Sequence, residues 1–139
     1  MNIVIDTNVL ISALKSKQGA AHKLLLLLPN KVFVPNISVA LFFEYESVAK
    51  RSGLIANLSN EDIDVVLDYF LSQSEIRKIF YLWRPFLKDP KDDLVLEVAV
   101  ESRSDYIITF NLKDFKGCDK FGIKAISPQE FLGIIRSGR

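Results

Sequence analysis

Three carboxylates in this chain stand where solubility alone does not explain them. Asp6 follows the β-branched run Ile3-Val4-Ile5 and precedes Thr7-Asn8 and a stretch with Val9, Leu10, Ala13 and Leu14 at helical spacing, so it sits where a strand hands over to a helix. Glu44 has Ala40 and Leu41 one turn before it and Val48 one turn after, which places it within an apolar stripe. Asp92 aligns with Val95, Leu96 and Ala99 on the apolar side of a third helical pattern. Their acidic neighbours read differently. Glu46 has Lys50 at i+4 and reads as half of a solvated ion pair, and Asp93, pointing toward Glu97 and Val100, reads as solvated. A carboxylate turned inward is costly unless it is paired or bound to a cation, and no Lys or Arg is obviously interleaved among the three. Repulsion among them raises at least one pKa unless a divalent cation sits between them. An oxygen-only set without histidine is hard in character and suits Mg²⁺ or Mn²⁺ rather than Zn²⁺ or Cu²⁺. Sites of that kind activate a water and hold a phosphodiester for in-line attack.

Each acid also has an ordinary structural use. Asp6, Thr7 and Asn8 can all cap the helix that follows, and Thr7 and Asn8 equally suit orienting a ligand water or a nucleophile beside Asp6. Asp89-Pro90 looks like an N-cap followed by the first helical residue, so Asp92 and Asp93 suit the positive end of the helix dipole. The only histidine, His22, lies away from every acid named and reads as structural or surface.

The elements that must position these groups follow from periodicity and punctuation. Short runs rich in Val, Ile or Tyr predict strands at 3–5, 32–34, 106–109 and 124–126, of the kind found buried in parallel sheets. Helices are predicted at 8–14, 20–28, 37–51, 61–71, 92–103 and 129–135, punctuated by Pro29, Gly53 and Pro128, with Ser59-Asn60-Glu61-Asp62 resembling a capping box. Alternation of Ile79, Tyr81 and Trp83 favours an edge strand over a helix within 76–83. This order predicts an α/β protein, a three-layer α/β/α sandwich around a mostly parallel sheet. Ligands of such sheets gather beyond the carboxyl ends of the strands, where Asp6 and the Thr109-Phe110-Asn111 segment fall.

Composition narrows the class. The chain has 139 residues, 49% hydrophobic, enough for one domain over 1–139 and short for two. With 18 basic and 17 acidic residues no strong overall field marks a nucleic-acid or membrane partner, and only a local basic patch is left open. A single cysteine, Cys118, forms no internal disulfide framework and fits a reducing compartment. No signal segment or membrane-spanning run is visible, so the expectation is a cytoplasmic protein with no membrane partner. The run of five leucines at 24–28 is apolar around more than half the helix circumference, and part of it is expected to meet another chain in a homodimer, complete burial within the monomer being the competing account.

Four blocks together resemble a family. Asp6-Thr7-Asn8-Val9-Leu10, Ser38 followed by Glu44-Tyr45, Asp89-Pro90-Lys91-Asp92-Asp93 ahead of Ala99, and Tyr106-Ile107-Ile108-Thr109 followed by Asn111 look like the PIN-domain family over almost the whole chain. The likeness is greatest to the VapC-like toxin components of toxin–antitoxin systems. It implies a metal-dependent endoribonuclease using Mg²⁺ or Mn²⁺, an RNA substrate and a cognate antitoxin protein. Asp6, Glu44 and Asp92 match the family's first three acidic positions and would be its metal ligands. Where the family often carries T-x-D, this chain has Thr109-Phe110-Asn111, which removes one anionic ligand. Relatives of the T-x-N type are still regarded as nucleases, and Asn111 would then help place the metal-bound water or a second ion. Asp114, three residues on, either reaches back to the site or simply caps its turn. Two readings from other classes stand beside this one. The first is a PIN-like module that binds RNA or protein without catalysis. The second is a phosphotransferase with Asp6 as nucleophile, for which the usual second acid two residues on is here Asn8.

Overall fold

Successive residues of a strand face opposite sides of its sheet, so the joint burial of Ile3, Val4 and Ile5, and of Ile107 and Ile108, means that both faces are covered. The computed structural model describes residues 1–28, 30–51, 53–82 and 86–138. Its elements are β1 (Asn2–Ile5), α1 (Thr7–Lys15), α2 (Ala20–Leu26), β2 (Val34–Ile37), α3 (Val39–Ala49), α4 (Asn60–Ser72), β3 (Glu75–Ile76), α5 (Pro90–Glu101), β4 (Tyr106–Ile108), β5 (Lys124–Ile126) and α6 (Pro128–Gly138), with two 3₁₀ turns, Leu112–Phe115 and Cys118–Phe121, between the last two strands. The strands form one sheet in the order β3-β2-β1-β4-β5, every pair parallel. Helices layered over this sheet give the expected α/β architecture. Large side chains such as Leu10, Tyr45, Phe70, Leu96 and Phe131 fill the core without exposure.

Capping explains most helix starts. Asp6, Ser38, Ser59 and Asp89 each accept a backbone N–H from the first turn of α1, α3, α4 and α5, and Ser59 with Asp62 closes a complete capping box. His22 Nδ1 lies 3.1 Å from the Ala13 carbonyl, tying α2 to α1, a structural role. The Glu46–Lys50 pair forms at 3.2 Å, and Lys50 also meets Asp64, so the pair pins α3 to α4.

Three expectations need correction. The second strand runs Val34–Ile37 rather than 32–34, passing through Pro35. Val34 donates to the Met1 carbonyl, so by alternation the missing Pro35 N–H faces the β3 side, where pairing begins only at Asn36. The edge strand over 76–83 shrinks to Glu75–Ile76; its far end at Trp83, like the helix stop at Pro29, lies outside the described residues. Asp93 is buried rather than solvated, with Oδ1 accepting the Leu87 N–H at 2.9 Å. The physical reason is that α5 packs against β1, β2, β4 and α3, while residue 87 folds back over its first turn, so no broad solvent face is left for Asp93. Among the described residues, no helix is long and apolar enough to cross a membrane.

Candidate active site

From β1 the chain crosses first to β2 on one side and later to β4 on the other, so the strand order reverses between β1 and β4. At such a reversal the connections diverge and leave a crevice beyond the strand ends. Asp6 and Thr109 are the first residues past β1 and β4, and the Asp6 N–H to Ile108 carbonyl bond of 2.9 Å holds the two ends side by side.

Asp6 is nearly buried and both its oxygens are engaged. Oδ1 accepts the Thr7 N–H at 2.8 Å and Oδ2 accepts the Thr109 hydroxyl at 2.7 Å, while the Thr109 oxygen accepts the Asn111 N–H at 3.0 Å. The relay ties the N-terminal strand to the 109–111 turn. Burial still pushes the Asp6 carboxyl above its ordinary value against these two hydrogen bonds, with Asp114 and Glu44 adding repulsion. Glu44 arrives from α3, whose next residue, Tyr45, is fully buried and donates its hydroxyl to the Ile5 carbonyl directly before Asp6. Burial, then the nearby Asp6 charge, pushes that phenol well above its usual pKa and keeps it a donor. Asp92 comes from the first turn of α5. Its carboxyl is pushed up to about 7, first by burial and then by Asp6, Asp114, Asp89 and Asp93.

All seven residues singled out in the sequence, Asp6, Thr7, Asn8, Glu44, Asp92, Asn111 and Asp114, line one open cavity of about 600 Å³. Asp114 is thereby brought to the acids, the first of its two readings, while its N–H also closes the turn on the Asn111 carbonyl at 3.0 Å. Thr109 and Tyr45, whose hydroxyls hold Asp6 and Ile5, were quoted in the sequence only as parts of blocks. Thr109 carried one signal, a hydroxyl after the apolar run Ile107-Ile108, and Tyr45, between Glu44 and Glu46, carried none. Lys15, Arg51 and Lys91 line the same cavity, cations that one-dimensional spacing did not connect to the acids. Among the described residues none of the three forms an ion pair with them.

A hard divalent cation fits this donor set. Asn8 Oδ1 is buried beside Asp6 with no hydrogen-bond partner, an acceptor in want of a cation or a donor. Asp6 and Asp92 are both raised, first by burial and then by the charge of neighbouring carboxylates, a repulsion that a cation among them relieves. Among the described residues no three acidic side chains stand close enough to hold a metal in the orientations they adopt. Closing the shell therefore takes side-chain rotation, which is open to the half-buried Glu44 and Asp92 and the exposed Asp114. The same geometry is poor for Asp6 as a phosphoryl acceptor, because it is both buried and doubly hydrogen-bonded.

Comparison with known proteins bears on the family and the fold. No curated protein matches the chain. Among solved structures, a chain of the crystal structure of VapBC2 from Rickettsia felis bound to a DNA fragment from their promoter superposes with a TM-score of 0.65 at 20% sequence identity, over 90% of this chain and 98% of that one. That likeness is one of fold. The sequence model of the PIN domain matches residues 2–113, which spans all four blocks and every acid of the cavity up to Asn111. The chain belongs to the PIN domain family.

Proposed function

We propose that this PIN-domain chain is a metal-dependent endoribonuclease and the toxin component of a toxin–antitoxin pair. The observation that carries the reading is the convergence of Asp6, Glu44, Asp92 and Asp114 on one cavity at the strand-order reversal, with Asp6 and Asp92 titrating above ordinary carboxylates. Mg²⁺ or Mn²⁺ bound by Asp6, Glu44 and Asp92 would acidify a water and neutralise charge on the phosphoryl oxygens. The chain's own residues supply the rest. Thr7 and Thr109 fix the Asp6 carboxylate, and Tyr45 locks α3 against the end of β1 so that Glu44 faces the same space. Asn111 and Asp114 offer oxygens from the opposite turn, where one position of the acidic set is neutral. Lys15, Arg51 and Lys91, which line the same cavity, supply charge for the flanking phosphates of an RNA.

An antitoxin partner is supported by family membership together with the likeness to VapBC2, a complex bound to promoter DNA. Self-association is supported by Leu26 and Leu27, exposed beside a groove between α2 and α6. The decisive experiment incubates the purified protein with assorted RNAs, with and without Mn²⁺, beside an Asp6→Asn control. Metal-dependent cleavage lost in the control supports the reading. Metal binding without cleavage of any RNA turns it toward an inert binding module.

A further inference from the structure

The two edges of the sheet are finished differently. At β5, Cys118 in the preceding 3₁₀ turn donates its thiol to the Ile123 carbonyl at 3.3 Å and accepts the Ala125 N–H, so backbone groups of that edge are already engaged. At the other end of the order, β3 pairs with β2 on one side and, among the described residues, with no strand on the other. In a parallel ladder a residue bonds the two neighbours of its partner, and Ile37, opposite Ile76, accepts the Arg77 N–H at 2.7 Å. Glu75 and Arg77 therefore turn their backbone groups toward β2, while Ile76 and Lys78 turn theirs outward. The chain past β3 keeps the alternation of a strand. Arg77 and Ile79 are half-buried, whereas Ile76, Lys78, Phe80 and Leu82 are exposed, the three apolar ones at 58%, 72% and 66%. Among the described residues Lys78 forms no ion pair, so the exposed row is apolar with one unpaired cation in it.

That charge decides between occupants. A second copy set antiparallel about Arg77 or Lys78 would bring like cations directly opposite each other. Set about Ile76, it would run Phe80 and Leu82 into the last turn of α4, which ends at Ser72. A different strand, with a carboxylate opposite Lys78 and apolar side chains opposite Ile76, Phe80 and Leu82, has neither fault. We infer that the outer edge of β3, with the segment through Leu82, is the docking site of an extended segment of a partner polypeptide, apolar on alternate residues with one carboxylate set against Lys78. It adds antiparallel as a sixth strand, the pairing that is more stable per residue. Main-chain bonds at Ile76 and Lys78 supply affinity, and the apolar row with its one charge supplies the choice of partner. The site uses no residue of the acid cavity and stands apart from the nuclease reading.

The test uses the full chain without metal or RNA and a labelled synthetic peptide of about eight residues, long enough to span an ordinary strand. The peptide alternates valine and threonine and carries one glutamate in place of the valine that meets Lys78. Anisotropy should show saturable binding below about 1 mM, the weak end of specific association. A lysine in place of the glutamate should weaken binding about fivefold or more, and Lys78→Glu in the protein should reverse that preference. N-methylation of the valines and the glutamate, whose N–H groups face β3, should abolish binding, while N-methylation of the threonines should leave it. Phe80→Ser with Leu82→Ser should weaken binding about fivefold or more. Hydrogen exchange followed by NMR places the peptide: the Arg77 amide should be protected already in the free chain, and the Ile76 and Lys78 amides only when the peptide is bound. The substituted positions are exposed, and thermal melts confirm that the variants fold. Absence of saturable binding, equal affinity for both methylated peptides, a preference that Lys78→Glu does not reverse, or unprotected Ile76 and Lys78 amides in the complex each overturns the inference. So does protection of those two amides that rises with protein concentration alone, which would make the occupant a second copy.

Discussion

Asp6 has both oxygens committed before any ligand arrives, whereas among the described residues no hydrogen bond or ion pair holds the carboxylates of Glu44, Asp92 and Asp114, so the site pairs one fixed acid with adjustable ones. Asp6→Asn, Glu44→Gln and Asp92→Asn should each abolish metal-dependent cleavage, while Glu46→Gln, whose carboxylate faces Lys50, should retain most of it; isothermal titration with Mn²⁺ and a cleavage assay decide. Thr109→Val keeps the shape of the side chain and removes a donor to Asp6, so the Asp6 carboxyl should titrate higher still, visible by NMR titration of its side-chain carbon. Asn111→Asp should lower the metal concentration needed for cleavage, and Asp114→Asn should then matter less than in the natural chain, a coupling readable by a double-mutant cycle. The pH dependence of the metal-free protein follows from Asp92, raised from 3.8 to about 7. Between those values the folded state holds a proton that the unfolded chain has released, so this contribution to stability is complete below 3.8 and is lost as pH rises to about 7. Asp92 is partly solvated, which screens the effect. Thermal melts in EDTA should therefore fall more steeply across that range in the natural protein than in Asp92→Asn. A slope equal in both proteins would show that Asp92 is not the group responsible.

The helices and central strands were legible as elements because their signals are local. Apolar periodicity and the caps at Asp6, Ser38, Ser59 and Asp89 are written in stretches of a few residues, and so the helices appear within two or three residues of their expected ends. What failed was set by neighbours distant in sequence. Pro35 looks like the end of a strand until β3 is seen to begin only opposite Asn36. Asn36 is itself buried, donating to the Ile3 carbonyl at 3.2 Å and accepting from Arg77 Nε at 2.8 Å. Asp93 looks solvated on a helical wheel that assumes one covered face, whereas α5 is covered nearly all round at its centre. Thr109 and Tyr45 act on atoms 103 and 40 residues away, and no spacing rule connects them. The acids themselves were legible for the opposite reason: each broke a local apolar pattern. Two element-level expectations follow. Ser59→Ala removes one half of the capping box and should cost about 1 kcal/mol of stability. Asp93→Ala strands the Leu87 N–H beneath the surface and should cost about 1–3 kcal/mol without the selective loss of metal binding expected of Asp92→Asn. Urea denaturation measures both.

At the scale of the molecule, the acid cavity and the leucine-rich helix lie on different parts of the surface. Leu24 and Leu28 are buried in the core, while Leu26 is 69% exposed and Leu27 41% exposed. The run of five therefore divides between two tasks, and burial within the monomer accounts for only part of it. Beside the exposed pair lies a groove of about 350 Å³ lined also by Leu132, Ile135 and Arg136 of α6 and by Lys23 of α2. Two neighbouring helices with apolar side chains turned outward leave a surface that water covers at a cost, and a two-fold contact between copies covers it twice with one set of residues. Long cationic side chains such as Lys23 and Arg136 permit such a contact, because their stems cover apolar surface while the charged heads stay hydrated. The expected outcome is a dimer at about 10 µM, the scale on which ordinary interfaces associate, that Leu26→Glu converts to a monomer. Sedimentation velocity reads the state, and the same sample assayed for Mn²⁺ binding should bind as before, since the groove and the acid cavity share no residue. A natural chain that sediments as a monomer at that concentration would show that this face is covered by something other than a second copy. A dimer that survives Leu26→Glu would place the contact elsewhere on the molecule.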